Sequence, residues 1–356
     1  MASQGRMLGP DAASTPWLLC VAPMMDWTDR HCRYFHRLLA PHARLYTEMV
    51  TAAALMHGDR LCLLEHSHEE HPVALQLGGA EPDQLALAAR HGVEAGYYEI
   101  NFNVGCPSDR VQSGRFGACL MREPALVAEC VRMMSEAVTG CGRNVPVTVK
   151  CRIGVDEQDE YTDLQHFAET MQAAGVRTLI VHARKAWLQG LSPRENREVP
   201  PLNYERVYRL KRDLPQLTVV INGGIVADDA VTTHLEQSDG VMLGRLAYHD
   251  PHALARIDAM LFGGTPASRE RALCSMRPYI EAELARGTRL KHIARHLLGL
   301  YHGQPGGRAF RRVLSEGAHR DDAGWETVEA ALEAVRRAGP LRPDVSAGSN
   351  GTQVRT

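Results

Sequence analysis

The chain has no CxxC pair, and its nine cysteines are odd in number and irregularly spaced. A disulfide framework is therefore not expected, and the thiols fit a reducing compartment, with the cytoplasm as the expected location. A long apolar run is also missing. Trp17–Met25 is too short to span a bilayer, contains Pro23 and has no basic segment before it, so neither a membrane span nor a signal peptide is expected. No GxGxxG follows the first apolar segment, which ends Ala22-Pro23-Met24-Met25, and this argues against a dinucleotide-binding doubly wound sheet. The histidines His66, His68 and His71 lie in a polar loop at a spacing that matches no paired zinc pattern, so no metal is expected. Net charge is only −2, which by itself suggests no polyanion partner.

The charge is unevenly placed, however. Between Thr265 and Arg320 there are 11 Lys and Arg residues against four acids, so this stretch carries +7 and the remainder −9. A basic module beside an acidic one is a cue for nucleic acid, although a solvated helical surface can carry the same charge. The apolar content of 44% supports a sizeable core.

Apolar strand-like runs alternate with amphipathic stretches. The expected strands are Leu18–Met24, Arg44–Val50, Val73–Leu77, Tyr98–Asn103, Val145–Arg152, Thr178–His182, Thr218–Asn222 and Gly240–Leu243. Helices are expected between most of them, including Pro124–Val138, Leu164–Ala174, Tyr204–Asp213 and Asp228–Gln237. Eight near-continuously apolar strands, most followed by a helix, predict an α/β fold of the (β/α)8 TIM-barrel type. The barrel is expected over residues 17–264, after a flexible N-terminal segment at 1–16. An all-helical domain is expected at 265–338, with helices at Ala272–Ala285 and Leu290–Leu300, and a disordered tail at 339–356.

In such a barrel the carboxyl ends of all strands converge at one mouth. The strand ends supply Pro23, Met24 and Met25, then Gln76, then Asn101, Asn103 and Cys106. They continue with Lys150 and Arg152, His182 and Arg184, Asn222-Gly223-Gly224, and finally Gly244-Arg245. The last two clusters suit a phosphate, because glycines let backbone N–H groups approach an oxyanion and Arg245 adds a charged fork. The Asn-Gly-Gly run also reads as a simple turn into a capped helix. Lys150 and His182 suit a flat, electron-rich heterocycle such as a flavin, whose ring edge Gln76 could bond. A strand-end lysine reaching solvent and a satisfied core histidine are the bland alternatives. Cys106 sits where a buried strand stops at Gly105-Cys106-Pro107-Ser108, and by position alone it could act as nucleophile or as acid.

Two blocks are specific. Ala22-Pro23-Met24-Met25-Asp26-Trp27-Thr28-Asp29 resembles the opening of the tRNA-dihydrouridine synthases. So does Asn101-Phe102-Asn103-Val104-Gly105-Cys106-Pro107-Ser108, continuing through Arg110-Val111 and Gly114-Arg115-Phe116-Gly117-Ala118. Lys150-Cys151-Arg152, His182-Ala183-Arg184, Asn222-Gly223-Gly224 and Gly244-Arg245 follow in the family's order, and HLLGLYHGQPGGRAFRR at His296–Arg312 resembles the A subfamily. The resemblance covers roughly residues 18 to 335. It implies an FMN barrel that uses NADPH to reduce the C5=C6 bond of uridines at positions 20 and 20a of tRNA. The cofactor would be held by Pro23, Met24, Met25, Asp26, Gln76, Lys150, His182, Asn222, Gly223, Gly224, Gly244 and Arg245. Cys106 would be the proton donor to C5, in preference to Cys119, which reads as a packing residue. By local chemistry, Asn101 and Asn103 could hydrogen-bond the flavin or the uracil edge, and Arg152, Arg184, Arg194, Arg197, Arg308, Arg311 and Arg312 are candidate contacts to tRNA. The expected state is a monomer. A flavin barrel acting on a free pyrimidine would not need the basic domain, and a non-catalytic tRNA-binding factor would not need Cys106, Lys150 and His182 together.

Overall fold

The computed structural model describes residues 16–108 and 114–343. The N-terminal segment and the tail expected from the sequence fall largely outside these residues, as do Arg110 and Val111 of the resemblance.

Eight strands form the centre: β1 (Leu19–Val21), β2 (Arg44–Thr51), β3 (Val73–Gly78), β4 (Glu99–Val104), β5 (Val147–Arg152), β6 (Thr178–His182), β7 (Thr218–Asn222) and β8 (Gly240–Leu243). They close in sequence order into a barrel, and every neighbouring pair is parallel. Most strands are buried on both faces, which is why they read as apolar runs rather than alternating ones. The strand-like segment Leu18–Met24 contributes only three residues to β1. Beyond it Pro23 has no N–H for the ladder, and the Met24 N–H is taken by Thr28 Oγ1 at 2.9 Å in a turn.

Register determines what meets at the mouth. Gln76 pairs with Asn101, Asn101 with Thr148, and Asn103 with Lys150. Arg152 pairs with His182, and His182 with Asn222. Side chains alternate across a strand, so Glu99, Asn101 and Asn103 share one face of β4, opposite Ile100, Phe102 and Val104. A cluster of Cys20, Ala22, Tyr46, Ala74, Ile180, Val220 and Met242 packs together, with Met24 against it.

The described chain divides into two compact units. The barrel unit holds 16–30, 43–224 and 234–244, and the second holds 31–42, 225–233 and 245–343. Residues 245–264, read with the barrel in the sequence, group with the helical unit, where Ala255 joins a core of Phe35, Leu273, Ile280, Ile293, Leu297, Phe310, Leu314, Val328 and Leu332. The single helix expected over Ala272–Ala285 is two, Arg269–Ser275 and Arg277–Ala285. Pro278 explains the break, since it has no amide to continue the first helix and suits the first turn of the second. In the helix Gly307–Gly317, Phe310 and Leu314 are buried at an i, i+4 spacing. Arg308, Arg311 and Arg312 are exposed, and their side chains pair with no described residue.

Candidate active site

The carboxyl end of β4 sets the local geometry. Asn103 Oδ1 accepts the backbone N–H of Gly105 at 3.1 Å and of Cys106 at 3.0 Å, so the chain turns sharply where the strand stops. Cys106 is partly exposed there, and its thiol contacts Ser108 Oγ at 3.5 Å. Its carbonyl accepts the Ala118 N–H at 2.9 Å, which ties both ends of the glycine-rich loop together. Cys119 lies in the short helical turn Gly117–Arg122 and donates to the Phe116 carbonyl at 3.1 Å, and burial raises its pKa.

Two polar groups, on β5 and at the end of β6, are unspent among the described residues. Lys150, partly exposed, makes no hydrogen bond or ion pair with any described residue. Burial, with Arg152 next in weight, lowers its pKa from 10.5 to about 8. His182 is buried, and its ring bonds to no described residue. Burial first, then Arg152 and Lys150, holds its pKa well below the usual imidazole range, so the ring is neutral at pH 7. A partly desolvated lysine without an anion is costly, and a buried neutral imidazole without a partner is unusual. Both are explained if the mouth receives an electron-rich, anion-bearing ligand.

The β7 end fits the phosphate of such a ligand. Gly223 and Gly224 have φ of +108° and +68°, conformations that favour glycine. A Cβ on Gly223 would lie 2.3 Å from His182 Cδ2, and Tyr204 Oη fixes the turn by donating to the Gly223 carbonyl at 3.0 Å. Neither glycine N–H donates to a described residue, so both remain available to an oxyanion. At Gly244 a Cβ would meet nothing nearer than 3.9 Å, which is the open space a ligand needs. Arg245 opens the next helix and groups with the other unit. Asn222 donates from Nδ2 to the Met242 carbonyl at 2.7 Å, so its amide braces β7 to β8. The β1 turn is also braced: Asp26 sits at φ +63° with its N–H on Glu48 Oε1 at 2.5 Å, while Met25 is exposed and Pro23 partly so.

Several residues expected to contact ligand are engaged by protein groups. Asn101 is fully buried and bonded to Gln76 and Thr148. Gln76, 1% exposed, bonds both Asn101 and Asn103. Arg152, 3% exposed and with its pKa lowered by burial to about 10, donates to the carbonyls of Gly105 (3.0 Å), Lys185 (3.2 Å) and Asn196 (2.9 Å). It is a brace between the Cys106 loop and the loop after β6, because three carbonyls absorb its guanidinium. Arg184 donates to the Glu198 and Pro200 carbonyls in the same way. Arg197 is exposed yet close enough to depress the pKa of His182 and Lys150, while Arg194 is exposed with Glu198 3.7 Å away. Sequence reasoning missed Glu99, Arg44, Thr148 and Asn196. Each is buried, and the available signal was a charged or polar residue at an inward position of a buried strand or, for Asn196, inside a loop already rich in arginine.

The fold and its mouth define a class: a (β/α)8 barrel enzyme with its chemistry at the strand carboxyl ends. The family model described as dihydrouridine synthase (Dus) matches residues 20–336. The chain belongs to the dihydrouridine synthase family. It is 62% identical over 315 residues to a tRNA-dihydrouridine(20/20a) synthase of Xanthomonas axonopodis pv. citri, covering 88% of this chain and 93% of that protein. Proteins of the same description from Shewanella oneidensis and Vibrio cholerae are 58% and 55% identical, each over 89% of this chain and over 93% and 96% of their own lengths. Among solved structures, morphinone reductase shares the barrel fold, with a TM-score of 0.50 at 12% identity, over 75% of this chain and 92% of that one. Among the described residues, no helix is long and apolar enough to cross a membrane, and no group of three or more His, Cys, Asp or Glu could hold a metal ion.

Proposed function

We propose that this protein reduces the C5=C6 bond of the uridines at positions 20 and 20a of tRNA, with FMN as cofactor and NADPH as reductant. The observation that supports the reading is the pairing of Asn103, which holds the Cys106 N–H, with Lys150, which like the neutral His182 bonds to no described residue. When bound, FMN supplies hydride to C6 of the uracil. Lys150 would hold the cofactor's ring with a positive charge that stabilises its reduced, electron-rich form, and Gly223, Gly224 and Gly244 would hold its phosphate. Cys106 then gives a proton to C5 from the opposite face, a contribution of ~10²–10⁴ in rate for a placed general acid. Asn103 holds the backbone at that cysteine, so the thiol needs no search for its position. The target uridine has to leave its stack to reach the mouth. Arg197 is exposed and contributes to the lowered His182 pKa, and Arg308 and Arg311 lie on the basic helical unit.

Cys106→Ala should retain FMN and NADPH oxidation and lose most uridine reduction in unmodified tRNA. Equal turnover of variant and parent would remove Cys106 from the reaction. A colourless protein that cannot be reconstituted with FMN would sink the whole reading.

A further inference from the structure

We propose that Glu99 and Thr148 are positioning residues for the Cys106 loop, acting through a buried hydrogen-bond chain that can run in only one direction. The inference rests on the proposed role of Cys106. At one end the backbone N–H groups of Gly105 and Cys106 can only donate, which turns Asn103 Oδ1 toward them. Asn103 Nδ2 therefore faces inward and donates to Gln76 Oε1 at 2.9 Å. Gln76 Nε2 donates to Asn101 Oδ1 at 2.8 Å, and Asn101 Nδ2 to Thr148 Oγ1 at 2.8 Å. The Thr148 hydroxyl proton goes to Glu99 Oε1 at 2.5 Å. At this other end the carboxylate can only accept, and it also takes Trp17 Nε1 at 2.8 Å, Arg44 Nη1 at 2.9 Å and Tyr46 Oη at 2.8 Å.

Both ends thus impose the same direction. Reversing any one amide would set donor against donor at one junction and acceptor against acceptor at the next. Asn103 is 8% exposed and Gln76 1%, while Asn101, Thr148 and Glu99 are fully buried, so water offers little substitute partner. The Gly105–Cys106 peptide is gripped from both sides, by Asn103 on its N–H and by Arg152 Nε on the Gly105 carbonyl at 3.0 Å. Among the described residues the thiol has only the 3.5 Å contact with Ser108, so its position comes from the backbone, and the backbone's comes from the chain. Thr148 is three side chains away from that peptide and touches neither substrate nor cofactor.

The test uses full-length, flavin-loaded protein and unmodified tRNA. Thr148→Val keeps the shape and removes the hydroxyl, Thr148→Ser keeps the hydroxyl, and Tyr46→Phe removes a different donor from Glu99 while leaving the chain intact. Two readings are taken: single-turnover uridine reduction at saturating tRNA, and hydrogen exchange of the Cys106 amide in protein carrying isotope-labelled cysteine. Losing one buried hydrogen bond should slow reduction and speed amide exchange by about tenfold each. The tRNA affinity should be unchanged, the serine variant should restore both readings, and Tyr46→Phe should move neither. The proposal is overturned if Thr148→Val matches the parent in amide exchange, if serine fails to rescue, or if Tyr46→Phe has the same effect as Thr148→Val. The amide reading tests the chain whatever Cys106 does in the reaction, and Cys106→Ala, assayed alongside, tests that role separately.

Discussion

Lys150→Met should make the flavin-free protein more stable while making it a poorer flavin binder. The fall of the Lys150 pKa from 10.5 to about 8 reflects how far desolvation in the folded protein disfavours the ammonium. At about 1.4 kcal/mol for each tenfold change in a protonation equilibrium, the cost of burying the charge is about 3 kcal/mol at most. Lys150 is partly exposed, and solvent screening brings the figure to roughly 1–2 kcal/mol. Methionine has similar length without the charge. The sign of the pH dependence follows from the lowered folded-state value. Below pH 8 the lysine is protonated in both states and the whole cost is present. Between about 8 and 10.5 the unfolded chain holds the proton more tightly, so the wild-type protein gains stability as pH rises. The advantage of the methionine variant should therefore be full at pH 7 and shrink toward pH 10. Urea midpoints of both proteins, freed of flavin, at pH 7 and pH 9.5 would measure it. Removing a charge-assisted contact should weaken FMN binding by about ten- to a hundredfold. A variant less stable than wild type at pH 7, or an advantage that does not depend on pH, would refute the claim that Lys150 waits for a ligand.

Two glycine substitutions separate strain from ligand space. Gly223→Ala, at φ +108° and with its Cβ 2.3 Å from His182, should cost about 2 kcal/mol or more in urea unfolding and displace the imidazole. Gly244→Ala, whose Cβ meets nothing nearer than 3.9 Å, should leave the thermal midpoint unchanged and weaken FMN more than riboflavin; equal effects on the two would place the phosphate elsewhere. Changing Arg308 and Arg311 together to alanine should lower the slope of log affinity for tRNA against log salt by about 1.5. Stability should not change, because both side chains are exposed and pair with no described residue; an unaltered slope would remove them from the tRNA interface.

The barrel was legible because its strands are buried on both faces. That produces unbroken apolar runs whose ends coincide with β6, β7 and β8 as observed. Where the structure departs from the reading, backbone chemistry accounts for it: Pro23 and Thr28 shorten β1, and Pro278 divides one expected helix into two. The grouping of 245–264 with the helical unit could not be read from composition. It depends on Ala255 packing into a core whose other members come from both ends of the chain, Phe35 and Val328 among them.

The site was legible in a more limited way. Strand parity says which side chains point inward, but it does not say which inward groups use one another up. Asn101, Gln76 and Arg152 sit at strand ends as visibly as Lys150 does, yet the first two are spent on the chain to Glu99 and the third on three carbonyls. Glu99 makes that consumption necessary. A carboxylate buried inside a barrel has to be surrounded by donors, and satisfying it recruits Trp17, Arg44, Tyr46 and Thr148 from three other segments. Once those bonds are subtracted, few strand-end polar groups remain. Among the described residues Lys150 and His182 have no hydrogen-bond or ion-pair partner, and Cys106 has only a weak one. An inward polar residue therefore marks a ligand only when the protein itself has left it unsatisfied. That criterion supports the proposal that the chemistry lies between β4, β5 and β6.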